Sequence, residues 1–226
     1  REVDNISPYL LEGDDVVVES RRQPLVGSTK MILGSMAKDG GNLILSREEV
    51  EDVVRRFPEV NKWIRRLVGS DEFIKGTERW CFWFEGVDLD ELRQFPDVWE
   101  RVRRVKEMRA SSKASTTRKY AATPHLFAQM AHPGPGVEYI LVPRVTSERR
   151  KYAPVGFFDD SSVATDLVQI VPHGDLYDFS ILSTQMHMDW LRLVGGRLES
   201  RFRYSATLVY NTFPWPKASE RQRQEI

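Results

Sequence analysis

The sequence has a single cysteine in 226 residues, which excludes a disulfide within the chain. Cys81 lies in the segment RWCFWF between large aromatic side chains, a setting typical of a buried core thiol rather than a nucleophile. A signal peptide and an apolar run of about 18 residues, the length of a membrane-spanning helix, are also missing. These absences predict a cytoplasmic chain without a membrane partner. Because the chain begins at Arg1 rather than Met, we expect a piece of a longer protein.

Net charge is absent too, since 33 basic residues balance 33 acidic ones. A free-standing nucleic-acid-binding protein is usually basic overall, so this balance argues against that class. The charges are unevenly distributed, however. Residues 1–52 carry six basic and eleven acidic side chains, whereas residues 93–119 carry nine basic and three acidic ones. Such a layout is typical of a protein with one anion-facing side.

Catalytic motifs are missing as well. The chain contains no Asn/Asp-Pro-Pro-Tyr/Phe box of amino methylation, no Gly-x-Ser-x-Gly elbow and no glycine-rich loop that opens a helix. The prolines of Pro133–Gly136 would block such a helix. The four histidines, His125, His132, His173 and His187, show no metal-ligand spacing. We therefore predict no catalytic residue, no metal site and no cofactor in this chain.

The sequence predicts an α+β fold with mainly antiparallel strands, several helices and one long C-terminal helix. Its hydrophobic content of 41%, with six Trp and eleven Phe, is enough for a real core. Apolar and β-branched runs predict strands at Val16–Ser20, Arg79–Glu85, Glu138–Val145, Tyr152–Phe158 and Leu167–Pro172. Asp39–Ser46 predicts a glycine turn that leads into a short strand, and Tyr204–Pro216 predicts a strand followed by a proline-aromatic stop.

Cap signals and helical spacing predict the helices. Ser46 and Glu49 form a capping-box pattern for a helix from about Arg47 to Phe57. Further helices are expected from Pro58 to Gly69, from Pro96 to Arg109 with the valines inward and the arginines outward, and from Asp175 to Gly196. We divide the chain into residues 1–136, an N-terminal α+β part with a helical middle, residues 137–216, a strand-strand-helix-strand part, and residues 217–226, the start of a helix.

Two basic, hydroxyl-rich segments are candidate phosphate contacts. The first, RVTSERRKY, connects two predicted strands and offers Arg144, Thr146, Ser147, Arg149, Arg150 and Lys151. Arg, hydroxyl and backbone N–H groups on a tight hairpin are common phosphate ligands, although a solvated hairpin tip has the same composition. The second, Ser111–Tyr120, reads as a loop or hinge with Lys113, Arg118 and Lys119.

The segment GRLESRFRYS, Gly196–Ser205, is the most specific feature. Glu199, Arg201 and Arg203 stand at alternate positions, so in an extended strand they would share a face. Glutamate accepts a hydrogen bond from cytosine N4, and arginine donates a forked pair to guanine O6 and N7. The same three side chains also suit a salt-bridged surface strand, and spacing alone leaves both interpretations open.

Five stretches resemble the target-recognition domain of MmeI-like single-chain restriction–modification enzymes. The stretches are NISPYLLEGDDVVVESR, DGGNLILS, VGSDEFIKGTERWCFW, YILVPRVTSERRKYAPVGF and LYDFSILSTQMHMDWLRLVGGRLESRFRYSATLVYNTFPWP. The resemblance implies a module that reads duplex DNA, with the methyltransferase and nuclease domains and S-adenosylmethionine supplied by the parent chain. It further implies that Glu199 and Arg201 act at one base pair, Arg203 with a residue near Leu167 acts at another, and the TSERR loop holds phosphate.

Two other function classes fit parts of the sequence. Many aromatic residues and a neutral charge suit a protein-interaction or scaffold domain, which a large exposed aromatic patch would favour. A metal-dependent nuclease would have to use Asp159, Asp160 and the histidines, and it would need a third acid and a lysine nearby.

Overall fold

The computed structural model describes residues 4–25 and 28–226. The strands are β1 (Ile32–Leu33), β2 (Ile44–Leu45), β3 (Ile64–Val68), β4 (Trp80–Phe82), β5 (Tyr139–Pro143), β6 (Val145–Thr146), β7 (Gly156–Phe158), β8 (Ser162–Ala164), β9 (Val168–Pro172), β10 (Gly196–Leu198) and β11 (Arg201–Arg203). The α-helices are α1 (Arg47–Arg56), α2 (Ser70–Lys75), α3 (Leu89–Leu92), α4 (Pro96–Ala110), α5 (Ser115–Lys119), α6 (Leu176–Leu182), α7 (Gln185–Val194) and α8 (Glu220–Gln224).

The chain forms two compact units, each built from separated stretches of sequence. The first unit takes residues 1–32, 137–158 and 169–226, and the second takes residues 33–136 and 159–168. The division into residues 1–136, 137–216 and 217–226 stays a prediction. The mixture of helices with mainly antiparallel sheets confirms the predicted α+β class.

The second unit has a sheet in the order β2-β4-β3-β8, in which only the β3–β8 pairing is described as parallel. Helix α1 begins as predicted, because the Ser46 hydroxyl accepts the Glu49 N–H at 3.3 Å and the Glu49 carboxylate accepts the Ser46 N–H at 2.8 Å. Cys81 on β4 is fully buried, and burial raises the pKa of its thiol. The prediction of a core thiol is therefore confirmed.

The predicted helix from Pro58 to Gly69 is wrong. A short 3-10 helix, Pro58–Trp63, gives way to strand β3, whose β-branched ends favour pairing with β4 and β8 over a continued helix. The residues expected to face the core still do, since Val60, Trp63 and Leu67 are buried. Burial of single residues was thus easier to predict than the element that carries them.

Helix α4 buries its valines as predicted but also buries Arg109, which we expected on an outer face. The Arg109 side chain is fully buried. Its guanidinium donates to five backbone carbonyls at 2.7–3.0 Å, those of Ala37, Lys38, Tyr120, Thr123 and Leu126. One arginine thereby satisfies carbonyls that would otherwise be buried without a donor. The segment after α4, predicted as a loop, contains the short helix α5.

The first unit has one sheet in the order β1-β9-β5-β7, with the unit boundary inside β1 and β9, and a second in the order β10-β11-β6. Its core is built around α6, α7 and the residues that follow β11, and includes Ile140, Val142, Leu182, Met188, Leu191, Phe202, Tyr204 and Phe213. Helix α8 confirms the helix start that was predicted near the C-terminal end.

Three predicted elements of the first unit are wrong. The long helix from Asp175 to Gly196 is two helices, because the Thr184 hydroxyl accepts the His187 N–H at 3.1 Å and starts α7 anew. A single π-helical turn, Ala206–Tyr210, replaces the strand expected after Tyr204. Val16–Ser20, all of it described, contains no strand.

In residues 4–25 and 28–226, no helix is long and apolar enough to cross a membrane.

Candidate functional site

The segment Gly196–Arg203 forms a short β-hairpin. Strands β10 and β11 pair antiparallel, with Gly196 opposite Arg203, Arg197 opposite Phe202, and Leu198 opposite Arg201. Along β11, Phe202 is buried while both flanking arginines are exposed. Arg201 and Arg203 therefore share one face of the strand, as the alternating pattern predicts.

Glu199 does not continue that strand face, because it lies in the two-residue turn between β10 and β11. Its φ of +58° is in the left-handed region, which favours glycine. The turn nevertheless brings Glu199 to Arg201, whose Nη2 lies 2.9 Å from the Glu199 Oε2. The side chains remain 79% and 47% exposed, so this surface pair contributes little to stability and stays accessible to a ligand.

A buried hydrogen bond holds the end of the hairpin against α7. Tyr204 directly follows β11, its N–H donates to the Arg144 carbonyl at 2.7 Å, and its hydroxyl lies 2.8 Å from Nε2 of His187. Burial lowers the pKa of His187 to about 3, so its imidazole is neutral at physiological pH. The Nδ1 of His187 has no hydrogen-bond partner among the described residues.

Gly195 ends α7 at a position where the helix's own last turn leaves no room for a side chain. A Cβ at this position would lie 2.4 Å from the Leu191 carbonyl oxygen and 3.4 Å from that of Arg203. No side chain fits at 2.4 Å from a backbone atom, so the residue must be glycine. The tight contact is therefore with the last turn of α7 itself, and the distance to β11 is an ordinary van der Waals one.

The predicted phosphate loop adjoins this hairpin. Strand β6 does not take part in the β5–β7 pairing. It pairs with β11, where Thr146 lies opposite Phe202 and Val145 lies opposite Arg203. The connection from β5 to β7 is therefore longer than the tight hairpin that we predicted. A hydrogen bond from the Ser200 hydroxyl to the Glu148 carboxylate, at 3.3 Å, joins the loop to the turn.

The loop is folded on itself and anchored to α7. Ser147 accepts the Arg149 N–H through its hydroxyl and the Arg150 N–H through its carbonyl, both at 3.2 Å. Nη2 of Arg192 on α7 donates to the Arg150 carbonyl at 2.9 Å. These bonds order the backbone, and the Arg149 side chain is 91% exposed.

The other predicted phosphate contacts of this loop differ in exposure. Lys151 is exposed, while Arg144, Ser147 and Arg150 are half-buried. Thr146 is 3% exposed, and its hydroxyl finds no partner within the described part of the chain. Its side chain points away from the exposed arginine face of β11, so its predicted role would require a local opening and stays a prediction.

The remaining predicted site residues lie in the second unit. Leu167 is 52% exposed at a turn that is tightly held, since the Ser70 hydroxyl donates to the Leu167 carbonyl at 2.8 Å and the Leu167 N–H donates to the Thr165 hydroxyl at 3.3 Å. A Cβ on Gly34 would lie 2.2 Å from the Thr165 carbonyl oxygen, so this turn packs against bare backbone.

Lys113, Arg118 and Lys119 are exposed around α5 in the second unit. Arg118 donates through Nη1 to the carbonyls of Ser112 and Lys113, at 2.8 and 2.9 Å. This contact closes the loop that leads into α5. The hairpin and the TSERR loop thus lie together in the first unit. The three basic residues and Leu167 lie in the second unit.

The acids considered for a nuclease site have structural partners. Asp159 accepts the hydroxyl and the N–H of Ser161, and these bonds lower the pKa of its carboxyl. Asp160 accepts the Gly136 N–H at 2.7 Å, and its carbonyl lies 3.0 Å from Nε2 of His132. Across residues 4–25 and 28–226, no three His, Cys, Asp or Glu side chains are grouped to hold a metal.

Comparison with known proteins supplies the family. The family described as "MmeI, target recognition domain" matches residues 12–217. The chain belongs to this family. The resemblance found in the sequence is therefore confirmed, and it extends over most of the chain.

Two relatives show that such a domain occurs within longer proteins. DNA methyltransferase A of Bacillus subtilis (strain 168) is 37% identical over 224 residues, which cover 99% of this chain and 25% of the relative. The solved structure of the Type IIL restriction-modification enzyme MmeI in complex with DNA is 41% identical, with a TM-score of 0.92, and the match covers 98% of this chain and 29% of that one. The chain thus spans less than a third of either relative.

Sequence reasoning missed the residues that support the hairpin. Arg192, the Ser200–Glu148 bond and the His187–Tyr204 pair join positions far apart in the sequence, and no local pattern connects them. The turn at Glu199 and Ser200 also lacked a sequence signal, because two-residue hairpin turns favour glycine, asparagine and aspartate.

Proposed function

We propose that this chain is the target recognition domain of a restriction–modification protein, and that it reads duplex DNA with the β10–β11 hairpin in the major groove. The observation that carries the proposal is an exposed face with Arg201 and Arg203, beside a carboxylate from Glu199 that is 2.9 Å from Arg201. A two-stranded β-ribbon fits the major groove. The complex of MmeI with DNA, a relative with 41% identity, supports the same ligand.

Glu199 and Arg201 suit one base pair together. A C·G pair presents a cytosine N4 donor, which Glu199 accepts, and guanine acceptors O6 and N7, to which Arg201 donates. Bringing the carboxylate into the groove without such partners would cost free energy. The Glu199–Arg201 pair therefore disfavours the wrong base pair as well as favouring the right one. Arg203 reads a second base pair, and Leu167 adds an apolar base contact from the second unit.

Phosphate contacts come from basic side chains, a hydroxyl and ordered backbone. In the first unit the groups are Arg144, Ser147, Arg149, Arg150 and Lys151, and in the second unit Lys113, Arg118 and Lys119. Arginine and hydroxyl groups on an ordered loop position a protein on duplex DNA without reading its sequence. The bonds within residues 147–150 and from Arg192 support this role, since they fix the loop before binding.

The chemistry belongs to the rest of the parent protein. The relative in Bacillus subtilis carries the name of a DNA methyltransferase and is about four times as long as the matched part. We therefore propose that an adenine methyltransferase domain, which uses S-adenosylmethionine, and a nuclease domain lie elsewhere on the same polypeptide. We place this protein in the bacterial cytoplasm, where its DNA is.

The test is methylated-base mapping with the full-length parent, comparing the wild type with the exchange Glu199→Lys with Arg201→Asp. We expect the methylated site to change at one position, with discrimination of about 1–3 kcal/mol transferred to another base pair. A matched control is the exchange Arg221→Glu with Glu225→Arg, another exposed ion pair of the first unit, which should leave the site unchanged. An unaltered site with normal activity in the Glu199 and Arg201 exchange would refute base reading by this hairpin.

A further inference from the structure

Leu198 is an exposed apolar residue on the face of the hairpin that carries the arginines. It is the Cα partner of Arg201 across the β10–β11 pairing. Residues directly opposite each other in an antiparallel pair project to the same face. Leu198 therefore stands beside Arg201, and it is 47% exposed.

The remaining positions of the hairpin leave this leucine accessible. Arg203 faces Gly196, which has no side chain. Arg197 lies on the opposite face, where its guanidinium is 4.0 Å from the centroid of the buried Phe202 ring. The exposed face thus combines two arginines with one leucine, while the hairpin's third arginine, itself exposed, lies over the Phe202 ring on the other side.

An apolar side chain among polar base readers has a specific chemical use. Most of the major-groove edge of a base pair consists of hydrogen-bond donors and acceptors, and the C5 methyl of thymine is its apolar group. A leucine pressed against a cytosine amino group or a guanine oxygen would strip water from it without returning a hydrogen bond. Leucine therefore favours thymine and penalises a G·C pair at the position that it covers.

We propose that Leu198 is a specificity-determining residue, which contacts the C5 methyl of a thymine in a base pair neighbouring the one read by Glu199 and Arg201. This inference rests on the proposed function, because it requires the hairpin to enter the major groove. It adds an apolar contact to the charged ones. The hairpin then reads two neighbouring base pairs, one through charged groups and one through an apolar side chain.

Deoxyuridine scanning tests the contact directly, because deoxyuridine lacks only the C5 methyl. Binding of the full-length parent is measured on its cognate duplex with each thymine replaced in turn. For the wild type we expect one thymine at which the replacement weakens binding about three- to fivefold, the effect of one buried methyl group. Leu198→Ala should bind both duplexes alike at that position.

Two control variants make the result specific. Leu198→Met keeps an apolar side chain and should retain the dependence on the methyl. Leu176→Ala removes another leucine of the first unit, 61% exposed on α6, and should bind like the wild type. A thermal unfolding curve for each variant checks that Leu198→Ala is folded.

The inference is overturned if no single thymine shows the loss, if Leu198→Ala shows the same loss as the wild type, or if the cognate site contains no thymine. Its failure is distinguishable from failure of the proposed function. A methylated site that responds to the Glu199 and Arg201 exchange, with a flat deoxyuridine scan, would remove Leu198 alone. A methylated site that the exchange leaves unchanged, together with a flat deoxyuridine scan, would show that the hairpin is not the base reader.

Discussion

Glu199 combines a strained backbone with a predicted recognition role. A non-glycine residue at a φ of +58° costs about 1 kcal/mol, since its Cβ crowds the following carbonyl. The exposed bond to Arg201 does not offset this cost. Strain kept at an exposed turn is typical of a residue retained for function rather than stability.

Replacing Glu199 should therefore separate stability from recognition. We expect Glu199→Gly to be more stable than Glu199→Ala by about 1 kcal/mol, because only glycine relieves the left-handed turn. Both variants should lose discrimination at one base pair, since both lack the carboxylate. Thermal unfolding gives the first quantity and methylated-base mapping of the full-length parent the second. Equal stability of the two variants would show that the turn is not strained.

At the scale of elements, α7 is the support of the hairpin. His187 contacts Tyr204 after β11, and Arg192 donates to the Arg150 carbonyl. Both residues lie on this one short helix, so the loop and the strand are oriented by the same element. Under the proposed function, a support of this kind would hold the base-reading groups within the narrow tolerance that base contacts require.

The buried His187 makes the stability of the domain depend on pH. Burial lowers the pKa of His187 from 6.5 to about 3, so between these values the unfolded chain binds a proton that the folded chain does not. Stability is fully present above pH 6.5 and is lost progressively as the pH falls towards 3, by about 3 kcal/mol at pH 4.5. In urea unfolding at pH 7 and pH 4.5, His187→Gln should lose less stability than the wild type.

The control for this measurement is His173→Asn, which changes an exposed histidine with a φ of +57° to a residue that tolerates that conformation. This variant should follow the wild type at both pH values. If His187→Gln lost as much stability on acidification as the wild type, another group would carry the pH dependence.

At the scale of the whole molecule, the basic side chains of this chain with no net charge differ in how they are paired. In the basic stretch 93–119, Arg93, Arg101, Arg103 and Arg104 pair with carboxylates within the second unit. Arg103 and Arg104 both bond to Glu100 and lower its pKa to about 2, and Arg109 is buried. Arg149 of the TSERR loop, in contrast, lies 3.8 Å from the carboxylate of Glu148 and is 91% exposed. The uneven charge along the sequence therefore overstates how much unpaired positive charge α4 presents.

Salt dependence distinguishes the two groups of arginines. Arg149→Ala with Arg150→Ala in the full-length parent should weaken binding to cognate and non-cognate duplexes equally, and should lower the slope of log K against log salt by about 2. Arg103→Ala with Arg104→Ala on α4 should leave the slope unchanged. A loss confined to the cognate duplex would mean that the loop reads bases rather than phosphates.

Local patterns predicted much of the fold. The capping box at Ser46 and the buried valines of α4 depend on side chains one to four residues apart, and both were predicted correctly. The strand at Ile64–Val68, the break at Thr184 and the turn after Tyr204 were not. Each of these depends on pairing or capping that competes with a helical or extended pattern of similar strength.

The sequence by itself determined the family and the alternation of Arg201, Phe202 and Arg203, because both are properties of residues in order. Only the tertiary structure decided that Glu199 lies in a turn, that Leu198 stands opposite Arg201, and that the TSERR loop lies against the hairpin. These depend on the register between strands and on contacts across long stretches of chain. A shift of register by one residue would turn the arginines to the buried face.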